Sequence, residues 1–138
     1  VKRVIGLPGD NVSWDGDSLR INDENAIYQP LQAETEPAFQ LADYSHTRRR
    51  QEQLLGEQRD ILQYRVTPKR GGGAFHDVVV PDDHYLLLGD NRDNSGDFRK
   101  FGFVPRGNVV GRATHILFSL DPQQYYWPRS ERAGIRLE

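Results

Sequence analysis

The sequence predicts an all-β fold, an antiparallel β core interrupted by a polar, partly irregular β insertion. Three observations carry this. Apolar and β-branched runs such as Val1-Lys2-Arg3-Val4-Ile5 and Val78-Val79-Val80 lie toward the two ends of the chain, bounded by Gly, Pro and Asp. The stretch between them is rich in Gln, Glu and Arg. No segment sustains a helical period beyond about three turns.

Taken in order, Val1-Lys2-Arg3-Val4-Ile5 has strand character, and Gly6-Leu7-Pro8-Gly9-Asp10 ends it because two glycines and a proline cannot continue a ladder. Residues 11–14 and 18–22 flank Asp15-Gly16-Asp17, an Asp-Gly pair suited to the positive backbone dihedrals of a tight hairpin. Residues 24–44 show no sustained period and read as an irregular, exposed excursion. Residues 46–55 and 58–66, around Gly56-Glu57, read as a polar hairpin. A helix over 48–55 has good formers, but Gly56 and the alternation of Ile61, Gln63 and Arg65 favour strands. Gly71-Gly72-Gly73 is a flexible join. Val78-Val79-Val80, Tyr85-Leu86-Leu87-Leu88 and residues 109–120 suit buried strands. The core is thus expected from 1–23 and 78–138, with 24–77 inserted as a variable β subdomain.

Composition narrows the function. A chain of 138 residues, 36% hydrophobic, accommodates one domain. The net charge of −2 offers no general attraction to nucleic acid. The absence of Cys excludes a disulfide framework, a thiolate metal site and a cysteine nucleophile. The longest uninterrupted apolar run, Tyr85-Leu86-Leu87-Leu88, falls far short of the roughly 20 residues of a membrane helix. A chain without Met that opens on Val1 in a strand-like run is expected to be a segment of something longer. His46, His76, His84 and His115 are too scattered for zinc and read as surface residues, so no metal or cofactor is expected. Arg48-Arg49-Arg50, followed by Glu52 and Glu57, reads as a solvated strand edge. Trp14, Tyr125, Tyr126 and Trp127 read as core packing in preference to a membrane-facing belt.

Two segments carry chemistry. Lysine is scarce, and Lys2 stands among apolar strand residues. It is either an edge-strand lysine that opposes aggregation or a desolvated lysine able to act as a general base. The second segment, Gly89-Asp90-Asn91-Arg92-Asp93-Asn94-Ser95-Gly96-Asp97-Phe98-Arg99, follows a buried strand. Its Asp and Asn side chains suit a loop that bonds its own amides. Asn91, Asp93, Ser95 and Gly96 imitate half a calcium loop, but Gly102 occupies the position where a bidentate Glu is required.

Lys2-Arg3-Val4-Ile5-Gly6-Leu7-Pro8-Gly9-Asp10 resembles the lysine-bearing motif of bacterial type I signal peptidase, and residues 89–99 resemble that family's last signature segment. Phe101-Gly102-Phe103-Val104-Pro105 and Gly111-Arg112-Ala113-Thr114 extend the likeness, which reaches the Trp127-Pro128 region more loosely and the 24–77 insertion weakly. The resemblance implies a signal-peptidase-like β domain in which a serine nucleophile and a lysine general base remove leader peptides from exported proteins. Lys2 matches the base and Ser95 the serine that orients its amine. Asp97 and Arg99 match a structural ion pair, Arg3 and Asp90 supporting positions, and Val1 an apolar wall of the pocket for small leader-peptide side chains. Phe98 stands where the family usually has Ser, which implies a local packing change. The family's nucleophile lies in an earlier segment and matches no serine here, so this segment alone is expected to be inactive.

The resemblance also implies signal peptides of pre-proteins as partners and a location on the outer side of the bacterial cytoplasmic membrane, held by N-terminal helices. Neither nucleic acid nor cofactor is implied. Self-association through an uncovered sheet edge is expected. A serine-lysine autoprotease of the SOS-repressor type and a non-catalytic β-rich binding module are the competing readings; the first would not be expected to match residues 89–99 at this length.

Overall fold

A computed structural model describes residues 1–31, 47–64, 73–121 and 125–137. Its strands are β1 (Arg3–Gly6), β2 (Asn11–Trp14), β3 (Leu19–Ile21), β4 (Glu24–Asn25), β5 (Ile27–Pro30), β6 (Thr47–Leu54), β7 (Glu57–Tyr64), β8 (Phe75–Val79), β9 (His84–Leu88), β10 (Val104–Pro105), β11 (Leu120–Asp121) and β12 (Trp127–Pro128). A single helical turn, α1 (Phe98–Phe101), stands between β9 and β10. The sheets run in the orders β1-β9-β10, β4-β3-β2-β8, β5-β6-β7 and β11-β12. Every strand pair within them is antiparallel. The fold is all-β.

Local chemistry accounts for the hairpins. Between β2 and β3 the Asp15 carboxylate accepts from the amides of Asp17 and Ser18 at 2.8 and 2.7 Å, and Gly16 takes φ 98°. The register that follows sets Val12 opposite Ile21 and Trp14 opposite Leu19, all four buried. β6 and β7 pair along their whole length from Thr47–Tyr64 to Leu54–Glu57, and their tight turn places Leu55 and Gly56 at φ 53° and 78°. Both central residues of such a turn need positive φ, which Gly56 supplies freely and Leu55 does not.

One apolar cluster joins the sheets. Ile5, Val12, Trp14, Leu19, Ile21, Val80, Leu86 and Leu88 pack with Ala26 and Leu54, and Phe75, Phe98 and Phe103 line its margin. Each fully buried aliphatic side chain here stabilises the fold by about 1.5–3 kcal/mol relative to exposure.

Four expectations are corrected. Residues 24–30 form β4 and β5, because Ile27 to Pro30 find a ready partner in β6 (Ile27 opposite Gln53, Pro30 opposite Arg50). The rest of the 24–44 excursion from residue 32, together with His46 and Gly71-Gly72, lies outside the described residues. Residues 109–119 form no strand; Val110, Leu117 and Phe118 are exposed, and among the described residues the run pairs through the His115–Arg136 bridge and a few adjoining backbone bonds. Alternation signals a strand, but a strand also needs a partner. Trp14 is buried as expected, whereas Tyr125, Tyr126 and Trp127 are exposed. The arginine run lies on β6, the central strand of its sheet, where Arg48 and Arg50 pair with Asp17, and Arg49 pairs with Asp60.

Leu55 is half exposed and contributes little packing, so its left-handed backbone is a cost without a return. Leu55→Asn is expected to stabilise the chain by about 0.5–1 kcal/mol, raising the melting temperature by about 2–6 °C. A calorimetric midpoint equal to or below that of the parent would contradict this.

Candidate active site

The pairing of β1 with β9 builds the site. Arg3 lies opposite Leu88, so Lys2, one residue before β1, comes beside the loop that leaves β9 at Gly89. There the Lys2 Nζ donates to Ser95 Oγ at 2.6 Å across a sequence separation of 93. Ser95 is buried, whereas Lys2 is exposed as a residue and reaches the loop from the strand end. Gly89 is what lets the two meet. A Cβ at this position would collide with the Ser95 side chain and lie 3.3 Å from Lys2 Nζ.

The loop from Gly89 to Asp97 is closed at its base by Asp97. Its carboxylate accepts from the Gly89 amide at 3.0 Å and from Arg99 Nε and Nη2 at 2.9 and 2.7 Å. The same side chain caps α1 through the Arg99 amide. Burial alone would push the Asp97 carboxyl up, but the Arg99 bonds, the Gly89 amide, the Arg99 charge and the Ser95 hydroxyl together hold it below its ordinary value. Arg3 grips Asp90 with two bonds of 2.9 Å, an arrangement half open to solvent. Val1 is fully exposed. Phe98 stacks edge-on against Phe75 at 5.0 Å and tilted against Phe103 at 4.9 Å, so it anchors α1 to the core margin.

The structure therefore brings Lys2, Ser95, Asp97 and Arg99 to one place, with Arg3 and Asp90 alongside. Sequence reasoning missed the support behind them. Arg92, within the same loop, donates from Nη1 and Nη2 to the two carboxylate oxygens of Glu52 on β6, at 2.5 and 2.6 Å, and both side chains are completely buried. Tyr28 donates its hydroxyl to Glu52 at 2.8 Å, and Arg59 Nε stands 3.1 Å from the carboxylate. Burial would lower the Arg92 guanidinium, and Glu52 more than reverses this. Burial, joined by the Glu52 charge, pushes the Tyr28 phenol up to about 12. Asp93, one of the imagined calcium ligands, is buried and accepts from the Tyr64 amide at 2.7 Å. A signal for Glu52 existed in the sequence, since it stands two residues before Leu54 and so on the inward face of a strand.

A carboxylate held below its ordinary value adds stability that is complete above the unfolded value, about 4, and is lost as pH falls through the lower folded value. Asp97→Asn should cost about 3 kcal/mol at pH 7, because Arg99 is left buried without its counter-charge. It should also flatten the fall in melting temperature below pH 4. Parallel melting curves against pH for the two proteins would show that the Asp97 pair contributes nothing special.

The curated proteins give the geometry its setting. A family model described as signal peptidase, peptidase S26 matches residues 1–118. The signal peptidase I of Haemophilus influenzae is 31% identical, covering 100% of this chain and 42% of its own length. That of Pseudomonas aeruginosa is 31% identical over 98% of the chain and 49% of its own length. A solved signal peptidase I from Enterococcus faecalis V583 is 29% identical, covering 82% of this chain and 80% of its own, with a TM-score of 0.45. The chain thus spans about half the length of the curated relatives it matches. With a match that runs from the lysine before β1 through the Ser95 loop and beyond, the chain belongs to the signal peptidase, peptidase S26, family.

Proposed function

We propose that this chain is the lysine-bearing part of a serine endopeptidase that removes N-terminal signal peptides from exported proteins, acting on the outer side of the bacterial cytoplasmic membrane. The observation that carries the reading is the 2.6 Å bond between Lys2 Nζ and Ser95 Oγ, made by the residues that match the family's motifs. Membership of the signal peptidase family supports the substrate class.

In this reading the neutral amine of Lys2 takes the proton from a serine hydroxyl, and that oxygen attacks the scissile carbonyl carbon. The tetrahedral intermediate collapses as the Lys2 ammonium hands its proton to the departing amine. Water, activated by the same lysine, then releases the acyl group. The nucleophile is a serine outside residues 1–138. Ser95 is unsuited to that part, because its buried hydroxyl already accepts from the Lys2 amine and the resemblance assigns it to orienting that amine. Its role is to fix the direction of the amine. Arg3 with Asp90 and Arg99 with Asp97 hold the strand start and the loop, and Val1 lines the approach of small leader-peptide side chains.

In the full-length protein, Lys2→Ala should lower kcat for a pre-protein substrate by about 10³-fold or more, as loss of a catalytic base does. Undiminished cleavage by that variant would overturn Lys2 as the base. Gly89→Ala, whose methyl group would lodge against Ser95, should lower kcat by about 10-fold or more with binding little changed, since small misplacements of catalytic groups cost about that much. Turnover equal to the parent's would show that the Lys2–Ser95 contact is dispensable.

A further inference from the structure

We propose that Glu52, carried by the β6–β7 hairpin, is a positioning residue for the catalytic lysine: it fixes Arg92, and through Arg92 the loop that presents Ser95 to Lys2. The proposal rests on the Lys2–Ser95 reading above. It adds a residue that no motif of the chain contains and that lies in the stretch least similar to the family's signature segments.

The geometry is continuous from hairpin to lysine. Glu52 is fully buried and holds Arg92 with two parallel bonds. The Leu62 amide, on the neighbouring strand, donates to the Asp90 carbonyl at 2.9 Å, and the Arg92 amide donates back to the Leu62 carbonyl at 2.9 Å. The Tyr64 amide adds its bond to Asp93. The loop is thus laid along β7 by its backbone and pinned to β6 by one charge pair. Ser95 follows two residues after Asp93, and the loop then closes where Asp97 accepts from Gly89.

A pair of this kind is poorly explained by stability. Removing two charges from water costs roughly what their attraction returns, and a well-packed apolar pair of similar volume is often as stable or more so. What an apolar pair lacks is direction. Two parallel N–H···O bonds from a planar guanidinium to a planar carboxylate define both the distance and the orientation of the loop. Tyr28 and Arg59 define the carboxylate in turn, from β5 and β7. The function of the pair is therefore geometric.

The experiment uses the full-length protein and a pre-protein substrate, with kcat, KM and melting temperature measured for each variant. Glu52→Gln should lower kcat by about 10- to 100-fold while KM stays within about twofold, the signature of an interaction that serves the reaction step. The double replacement Glu52→Leu with Arg92→Met should recover part of the melting temperature lost in Glu52→Gln, Arg59 still lacking its counter-charge, without recovering kcat. Leu54→Ala, which opens a cavity on the same face of β6 but touches no loop residue through hydrogen bonds, should lower the melting temperature and leave kcat near the parent's. A double replacement that restores kcat along with stability, or a Glu52→Gln variant that loses no more kcat than Leu54→Ala, would overturn the proposal. Lys2→Ala separates the two readings. If it is inactive while Glu52→Gln turns over normally, positioning by Glu52 alone fails; if Lys2→Ala turns over normally, the serine-lysine reading fails first.

Discussion

The structure turns on the antiparallel pairing of β1 with β9. Without it Lys2 and Ser95 are two polar residues far apart in the chain; with it, the residue before one strand and the loop after the other are necessarily neighbours. Pairing is in turn fixed by what the strands bury. Ile5 on β1 and Leu86 and Leu88 on β9 all contribute to the single core, and a register slip of one residue would turn them outward. The hydrophobic core thus specifies the position of an amine that itself lies outside the core.

Beyond the sheet the physics changes from apolar to polar. The loop from Gly89 to Asp97 contains no aliphatic side chain, so it cannot be held by burial of apolar area. It is held by hydrogen bonds of three kinds: its own base through Asp97, Gly89 and Arg99; backbone exchange with Leu62; and the buried pair of Arg92 with Glu52. A loop held in this way is confined to one conformation, because each buried polar group has a fixed partner to keep and a high penalty for losing it. That is the property required of a segment that must present a hydroxyl to an amine at hydrogen-bond distance.

Much of this was legible in the residues. The hairpin at Asp15-Gly16, the hairpin at Gly56 and the loop after Tyr85-Leu86-Leu87-Leu88 were readable because turn chemistry and strand alternation are local properties. The matches at Lys2 and at residues 89–99 pointed to the two segments that meet. The failures share a cause: they required knowledge of a partner. Residues 109–119 alternate like a strand yet find almost no neighbour among the described residues, while Ile27 to Pro30 look irregular yet pair with β6. Glu52 reads as a surface acid because a charged residue in a polar hairpin is usually solvated. The arrival of Arg92 from a distant loop, with Tyr28 and Arg59 alongside, makes its burial tolerable.

The ion pairs around the site also differ in what they can do, and burial decides which. Arg3 and Asp90 are joined by two well-formed bonds but remain half open to water, where screening and side-chain entropy leave such a pair worth about 1 kcal/mol or less. It can bias the start of β1 without locking it. Asp97 with Arg99, and Glu52 with Arg92, are removed from solvent almost completely. For these the relevant quantity is the cost of any other arrangement, since sliding either loop segment by a single residue would strand a charge in the interior. The exposed pair joins the lysine's strand to the loop, and the two buried pairs lie on the serine's side. The rigid partner is therefore the loop, and the lysine, exposed and attached to a strand end, is the element that must be aimed by it.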